Sequence, residues 1–254
     1  MKMLKVIKDY VVSTVLWAAG LAWAVPTMMF LTLYWKLSGK RNLEWFVRLQ
    51  CRGQVAFTGN TWRAIVHPDV DPHTPYVFMQ NHTNHLDYGV LAWAVPGHRL
   101  QGMELEKHFN YPVYGWFMKA RGTIPVRVGE KQQLERLLEC MRDRVSQGDS
   151  ILMFPEGTRT LDGRVGRFRK GGFYLAWELG VPIVPVAVTG MYDVMRKGSL
   201  LIRPGHQVTV HVGKPIPTRG LQRRELGEVA RLVKQTITTH VDQYWESRSL
   251  GEVE

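Results

Sequence analysis

A chain of 254 residues is long enough for one large domain, or for one domain with an appendage. Hydrophobic residues make up 45% of the chain, which is enough for a substantial core. The formal net charge of +11 at pH 7 predicts an anionic partner, for which nucleic acid, anionic lipid and a phosphorylated substrate all qualify. The two cysteines, Cys51 and Cys140, form no CxxC pair, which argues against a disulfide scaffold and against a cysteine-based metal site.

An uncharged apolar run covers Tyr10–Trp35, with lysines before it and basic residues after it. As a helix it would measure about 39 Å, more than the hydrocarbon core of a bilayer at about 30 Å. Pro26 lies inside the run and favours a kink, and positive charge on both flanks leaves the orientation unset. We expect the segment to enter one leaflet and return, or to lie shallow. The alternatives are a transmembrane span and a signal peptide cleaved near Ala22-Trp23-Ala24.

The next segment, Arg41–Arg52, is amphipathic. Leu43, Phe46, Val47 and Leu49 favour one side and alternate with charged residues. This pattern predicts a short interfacial helix, with a surface helix on a soluble core as the alternative.

From about Val55 onward, short apolar strands alternate with helical stretches. Strands are predicted at residues 76–80, 101–105, 123–128, 149–154, 183–188 and 208–212, and helices at 86–94, 114–120, 132–146, 171–179 and 224–245. This alternation predicts an α/β fold, with a mostly parallel sheet flanked by helices. Because ligands gather at the carboxyl ends of parallel strands, polar residues directly after strands are the candidates for a site.

The first candidate is Asn81-His82-Thr83-Asn84-His85-Leu86-Asp87, directly after the strand at 76–80. If the turn ends near Thr83 or Asn84, which are good helix caps, Asp87 in the first helical turn can reach back to His82. Such a pair suits general-base catalysis, and a structural histidine beside a helix-start aspartate is the alternative. A second alternative is a metal site of His82, His85 and Asp87, as in a membrane-anchored metallohydrolase.

The second candidate is Phe154-Pro155-Glu156-Gly157-Thr158-Arg159, after the strand at 149–154. Gly157 lets the backbone approach a ligand closely, and Arg159 can hold a phosphate with its planar fork. Arg127 lies near the end of another strand and could be a second phosphate ligand. The following loop is either a solvated basic loop or a contact for an anionic bilayer or a phosphorylated donor; its cations are Arg164, Arg167, Arg169 and Lys170.

Four blocks in this order resemble the glycerolipid acyltransferases, especially the 1-acylglycerol-3-phosphate acyltransferases. They are Asn81-His82-x4-Asp87, Gly122-Thr123-Ile124-Pro125-Val126-Arg127, Phe154-Pro155-Glu156-Gly157-Thr158-Arg159 and Val181-Pro182-Ile183-Val184-Pro185-Val186. The likeness covers about residues 55–215. The chain departs from the family pattern at Thr83, where glutamine is frequent, and at Glu106-Lys107, which reverses a common lysine-glutamate pair.

The resemblance implies that His82 is a general base and Asp87 its partner. It also implies that the acceptor is bound by Arg127, Glu156, Gly157, Thr158 and Arg159. The implied reaction moves an acyl group from acyl-CoA or acyl carrier protein to the free hydroxyl of 1-acylglycerol 3-phosphate, giving phosphatidic acid. Other lyso-lipids and glycerol 3-phosphate are alternative acceptors.

The resemblance, the basic charge and the N-terminal segment together set the expected partners and organisation. We expect no metal and no other cofactor, and as partners an anionic membrane surface, a lysophospholipid and the acyl donor. Nucleic acid is not expected, because the aromatic residues lie in apolar runs rather than on a basic face. Residues 1–53 are predicted to form a membrane-associating segment and residues 54–254 a catalytic domain, on the cytoplasmic face of a membrane.

Overall fold

The computed structural model describes residues 2–39, 43–127, 129 and 132–251. The helices are α1 (Lys2–Ser38), α2 (Glu44–Ala56), α3 (Asp87–Ala94), α4 (Tyr114–Arg121), α5 (Gln133–Ser146), α6 (Gly171–Leu179), α7 (Met191–Val194) and α8 (Leu226–Gly251). The strands are β1 (Thr61–Val66), β2 (Val77–Gln80), β3 (Leu100–Gln101), β4 (Met103–Leu105), β5 (Ile124–Val126), β6 (Ser150–Met153), β7 (Ile183–Thr189) and β8 (Gln207–Val212). Short 3₁₀ helices cover Glu106–Asn110 and Arg223–Glu225.

One sheet has the strand order β1-β8-β7-β2-β6-β3, and β4 pairs with β5 in a separate two-stranded sheet. Neighbouring strands run parallel except for the antiparallel pair β7 and β8. The predicted α/β fold with a mostly parallel sheet is therefore confirmed. The central position of β2, between β6 and β7, places the ends of these three strands side by side.

Helices cover both faces of the large sheet. Along β2, Val77 and Met79 join a core with residues of α5, α6 and α8, whereas Phe78 joins a second core with residues of α1 to α4. This alternation follows from the two-residue side-chain period of a strand. The fully buried β7 supplies both cores, so its sequence is a continuous apolar run.

The structure differs from the strand predictions at three places. The strand at Thr61–Val66 was not predicted, because it lies at the sheet edge and most of its residues are exposed. The predicted strand at 101–105 is interrupted at Gly102, so that β3 joins the large sheet and β4 the small one. A Cβ at Gly102 would lie 3.2 Å from the Tyr88 ring, so the backbone passes close to this side chain at the break between the two strands. The predicted strand at 123–128 ends at Val126, and its last residue lies outside the described residues.

The apolar run forms one continuous helix that extends through Pro26 to Ser38. The chain does not turn back within residues 10–35, so the first of the two expected arrangements, a segment that enters one leaflet and returns, is wrong. The second, a segment that lies shallow, stays a prediction. By length and composition alone, Val6–Ser38 is long and apolar enough to cross a membrane. At about 1.5 Å per residue, the whole of α1 measures about 55 Å.

Helix α1 packs on the rest of the protein at several levels. The Ser13 hydroxyl donates to the carbonyl of Leu200 and accepts the N–H of Ile202. Further along, Trp23 Nε1 donates to the Gln50 carbonyl at 3.1 Å, and Trp35 stacks on an aromatic ring of α4. The outer face stays apolar and exposed, with Met3, Leu21, Met29, Leu33 and Leu37 among its residues. The helix therefore lies along the domain and presents an apolar stripe outward.

Helix α2 confirms a helix in the second N-terminal segment, although Arg41 lies outside the described residues. Val47, Cys51 and Val55 are buried in the core, whereas Trp45 and Leu49 are exposed. The proposed division after residue 53 falls inside this helix and stays a prediction.

The α1–α2 contact leaves no room for a side chain at Gly53, because a Cβ there would lie 2.1 Å from Trp23 Nε1. Gly53→Ala is expected to displace the indole, break its bond to the Gln50 carbonyl and destabilise the protein by about 1 to 3 kcal/mol. Thermal unfolding in detergent measures the effect. Gly20→Ala in α1 is the matched control, since nothing lies within 4 Å of its Cβ position. Equal unfolding temperatures for Gly53→Ala and wild type would contradict this packing.

Candidate active site

The residue after β2, Asn81, ties the candidate loop to the neighbouring strand. Its amide nitrogen donates to the Val188 carbonyl at 2.9 Å, and its amide oxygen accepts the Val188 N–H at 2.7 Å. The buried side chain thus replaces a pair of backbone bonds where the β2–β7 ladder ends. This contact fixes the direction in which the chain leaves the sheet towards His82.

Asp87, the first residue of α3, gathers the loop around one carboxylate oxygen. Its Oδ2 lies 2.7 Å from His82 Nδ1 and accepts the backbone N–H groups of Thr83 at 2.6 Å and Asn84 at 3.1 Å. The Asn84 side-chain oxygen accepts the N–H of Leu86 and closes the turn before the helix. The predicted contact between His82 and Asp87 is confirmed.

This contact sets the tautomer of His82. An ionised carboxylate can only accept, so Nδ1 carries the proton and Nε2 keeps its lone pair. The ring stacks on Phe154 with 3.8 Å between centroids and 12° between planes. The side chain is 21% exposed, and among the described residues Nε2 has no hydrogen-bond partner. An oriented, accessible base is the arrangement that general-base catalysis needs.

Glu156 is a buried residue whose carboxylate joins two loops, and we call this pair of contacts the clamp. Its Oε1 accepts the backbone N–H of His82 at 2.9 Å, and its Oε2 accepts that of Gly166 at 2.8 Å. Burial raises the pKa of this carboxyl group, while the two backbone donors oppose the shift. Glu156 was predicted to bind substrate, and that role stays a prediction. The geometry makes it a positioning residue that joins the His82 loop to the basic loop.

The two residues after Glu156 have backbone and side-chain contacts of their own. Gly157 has φ +68°, and a Cβ there would lie 2.8 Å from Arg169 Nε, so the turn requires glycine. The Thr158 hydroxyl accepts a hydrogen bond from Lys197 Nζ at 3.0 Å.

Arg159 lies next to the histidine loop. Its Nη1 is 2.8 Å from His85 Nε2, and the N–H of Thr160 donates to the His82 carbonyl at 2.8 Å. The structure therefore brings the two predicted motifs together, since the ends of β2 and β6 are adjacent.

Arg127 has a different partner. Its guanidinium forms a two-pronged ion pair with Glu106, in which both contacts measure 2.5 Å. This hydrogen bond lowers the pKa of the Glu106 carboxyl group. Both side chains are nearly half exposed, so the pair is weak and open to exchange. Phosphate binding by Arg127 stays a prediction.

The side chains of the alternative metal site point to different partners. His82 Nδ1 is bonded to Asp87, whereas His85 Nε2 accepts from the Arg159 guanidinium. Within the described part of the chain, no group of three or more His, Cys, Asp or Glu residues is arranged to hold a metal ion. A guanidinium at His85 also disfavours a cation there, so the geometry gives the metallohydrolase alternative no support.

The oriented histidine and the arginine loop, at the ends of parallel strands, both lie within a segment that matches a known protein family. Residues 63–189 match the model of the acyltransferase family, described as "Acyltransferase". The chain belongs to this family.

Two relatives with names in the same family agree with the assignment. The chain is 39% identical over 144 residues to a chloroplastic 1-acyl-sn-glycerol-3-phosphate acyltransferase of Brassica napus, covering 56% of this chain and 41% of the relative. It is 28% identical over 189 residues to the Saccharomyces cerevisiae 1-acyl-sn-glycerol-3-phosphate acyltransferase, covering 70% and 59%. It thus spans about half the length of these relatives.

The fold is also similar to the crystal structure of PlsC, the 1-acyl-sn-glycerophosphate acyltransferase from Thermotoga maritima. The TM-score is 0.78 at 19% identity, covering 93% of this chain and 96% of that one. At this identity, the likeness supports the fold alone.

Several site contacts were not predicted from the sequence. Asn81 and Phe154 stand inside the recognised motifs, so their neighbourhood could have drawn attention to them. Lys197 lies outside every motif, in the segment after α7, and its ammonium contacts Thr158 and Arg159. Nothing in the local sequence pattern marks it.

Glu156→Gln tests the clamp. Glutamine keeps one acceptor oxygen, and its amide nitrogen would face a backbone N–H, so His82 or Gly166 loses its partner. We expect a loss of stability of about 1 to 3 kcal/mol, the usual cost of an unsatisfied buried group. Chemical denaturation measures this loss. Glu139→Gln, at an exposed position of α5, is the matched control. If the two variants were equally stable, the clamp would not support the loop.

Proposed function

We propose that the chain is an O-acyltransferase that moves a fatty acyl group from a thioester donor to the free hydroxyl of 1-acylglycerol 3-phosphate, giving phosphatidic acid. The observation that carries the proposal is the bond from His82 Nδ1 to Asp87 Oδ2, which leaves Nε2 without a hydrogen-bond partner among the described residues, in a loop whose His85 contacts the Arg159 guanidinium. The names of the relatives support the choice of acceptor. Acyl-CoA and acyl carrier protein are both suitable donors.

In the proposed mechanism, His82 Nε2 takes the proton of the acceptor hydroxyl while the oxygen attacks the thioester carbonyl carbon. The new C–O bond forms, the C–S bond breaks, and the proton returns from the imidazolium to the departing thiolate sulfur. Asp87 stabilises the imidazolium through Nδ1. No covalent acyl-enzyme is needed, because the acceptor hydroxyl attacks the thioester directly as His82 takes its proton.

Arg159 is the proposed ligand of the acceptor's phosphate. A guanidinium offers a planar pair of donors that matches phosphate oxygens, and the Thr160 contact to the His82 carbonyl fixes this loop relative to the base. Arg127 is the second proposed ligand and would exchange its carboxylate partner Glu106 for the phosphate. Glycerol 3-phosphate and other lyso-lipids are the alternative acceptors.

His82→Ala tests the base. We expect turnover to fall by at least about 10²-fold, the scale of a lost general base, while the protein stays folded. The assay supplies 1-acylglycerol 3-phosphate with labelled acyl-CoA or labelled acyl carrier protein and measures labelled phosphatidic acid. His73→Ala, in an exposed loop, is the matched control. Near-normal turnover by purified His82→Ala would remove His82 from the mechanism.

The same assay tests the reaction itself. Parallel reactions with glycerol 3-phosphate and with lysophosphatidylcholine compare the alternative acceptors. Wild-type protein that labels one of these and not 1-acylglycerol 3-phosphate would overturn the proposed acceptor.

We further propose that α1 lies along the cytoplasmic face of a membrane rather than across it. A span would have to separate Ser13 and Trp17 from the backbone of Leu200, to which both donate hydrogen bonds. The exposed apolar side chains of α1 and the exposed Trp45 of α2 suit shallow insertion. The basic charge of the chain favours anionic headgroups.

Thiol labelling tests this placement with Met3→Cys and Leu37→Cys, which are 76% and 80% exposed in the wild-type chain. In sealed cells, both positions are expected to be protected from an impermeant reagent supplied outside, because both ends of α1 lie on the cytoplasmic side. Both should react after permeabilisation, which controls for accessibility. Labelling of position 3 from outside, with position 37 protected, would show a full span.

A further inference from the structure

The side chain of Arg159 is held by a residue outside the matched family motif positions. Its Nη1 lies 2.8 Å from Nε2 of His85, one of the unspecified residues between His82 and Asp87. A guanidinium only donates, so His85 must accept through Nε2 and carry its proton on Nδ1. Burial, followed by the charge of Arg159, lowers the pKa of His85, which favours this neutral form.

The backbone of Arg159 is held by a second residue, Lys197. The Lys197 ammonium donates to the Arg159 carbonyl at 2.9 Å and to the Thr158 hydroxyl at 3.0 Å. Lys197 follows α7, and the carbonyls of Met191 and Met195 in this region accept from the Asn84 amide. The same segment therefore contacts the histidine loop and the arginine loop.

We propose that His85 and Lys197 are positioning residues that set the Arg159 guanidinium for the phosphate of the acceptor. This inference rests on the proposed function, since Arg159 is the phosphate ligand only there. An arginine side chain loses considerable rotamer freedom on binding. Holding its backbone and its guanidinium in advance reduces that cost, and both contacts lie near the surface, where their loss leaves the fold intact.

The effect belongs to acceptor binding rather than to the chemical step. Neither residue touches the accessible Nε2 of His82. Each acts through Arg159, so its removal should weaken a phosphomonoester acceptor and leave kcat at saturating acceptor nearly unchanged. It should also have no effect on the KM of the thioester donor.

The experiment uses the full chain in detergent and a short-chain, water-soluble 1-acylglycerol 3-phosphate. Calorimetric Kd and acceptor KM are measured for His85→Ala and Lys197→Met. We expect both constants to rise about tenfold, as for a misplaced ligand group, with kcat changed less than about twofold. His85→Gln keeps an acceptor for the guanidinium and should restore most of the affinity. Lys214→Met, whose ammonium pairs with Asp69, is the matched control.

A second set of variants separates positioning from direct contact. In the Arg159→Ala background, neither His85→Ala nor Lys197→Met should weaken binding further. Additional loss there would show direct ligand contact and overturn the positioning role. Wild-type affinity of both single variants, or of Arg159→Ala itself, would also overturn it. If wild type binds this ligand without transferring an acyl group to it, the proposed function fails while the Kd comparison still decides the inference.

Discussion

The site depends on one carboxylate oxygen, Asp87 Oδ2, which accepts the imidazole Nδ1–H of His82 and two backbone N–H groups. The two backbone bonds fix the carboxylate at the start of α3, so the imidazole meets an acceptor that is already oriented. Hydrogen bonds to an ionised acceptor are stronger than neutral ones, particularly where water is excluded. With Asp87 buried, the orientation of His82 follows from the helix start.

Sheet topology supplies the other partners. Because β2 lies between β6 and β7, the loops after all three strands meet at the carboxyl edge of the sheet. The β6 loop brings Phe154 against the His82 ring and Glu156 under its backbone. In β7, the Val188 carbonyl accepts from the Asn81 amide. Further along the chain, after α7, Lys197 donates to the Arg159 carbonyl. The loops after these strands therefore hold one another's site residues in place.

The alternation of apolar runs was enough to predict the parallel sheet. The contact of His82 with Asp87 was predicted from their spacing after a strand together with the family resemblance, because the spacing alone also fits a structural histidine. The edge strand β1 escaped prediction because its exposed residues lack a buried strand's pattern. The continuity of α1 could not be predicted, because Pro26 weakens a helix locally while packing along the domain decides its course. The partners of Arg127 and Arg159 could not be predicted either, because pairing between exposed side chains depends on tertiary placement rather than on local sequence.

The central claim is that Asp87 holds His82 as the Nδ1–H tautomer, with Nε2 free to accept a proton. Nitrogen-15 NMR of the histidine rings near neutral pH tests it most directly, with His82→Gln used to assign the His82 signals. We expect Nδ1 of His82 to bear the proton, in a strong hydrogen bond, and Nε2 to be unprotonated. A neutral ring with its proton on Nε2 would contradict the account, because such a histidine could not act as the base.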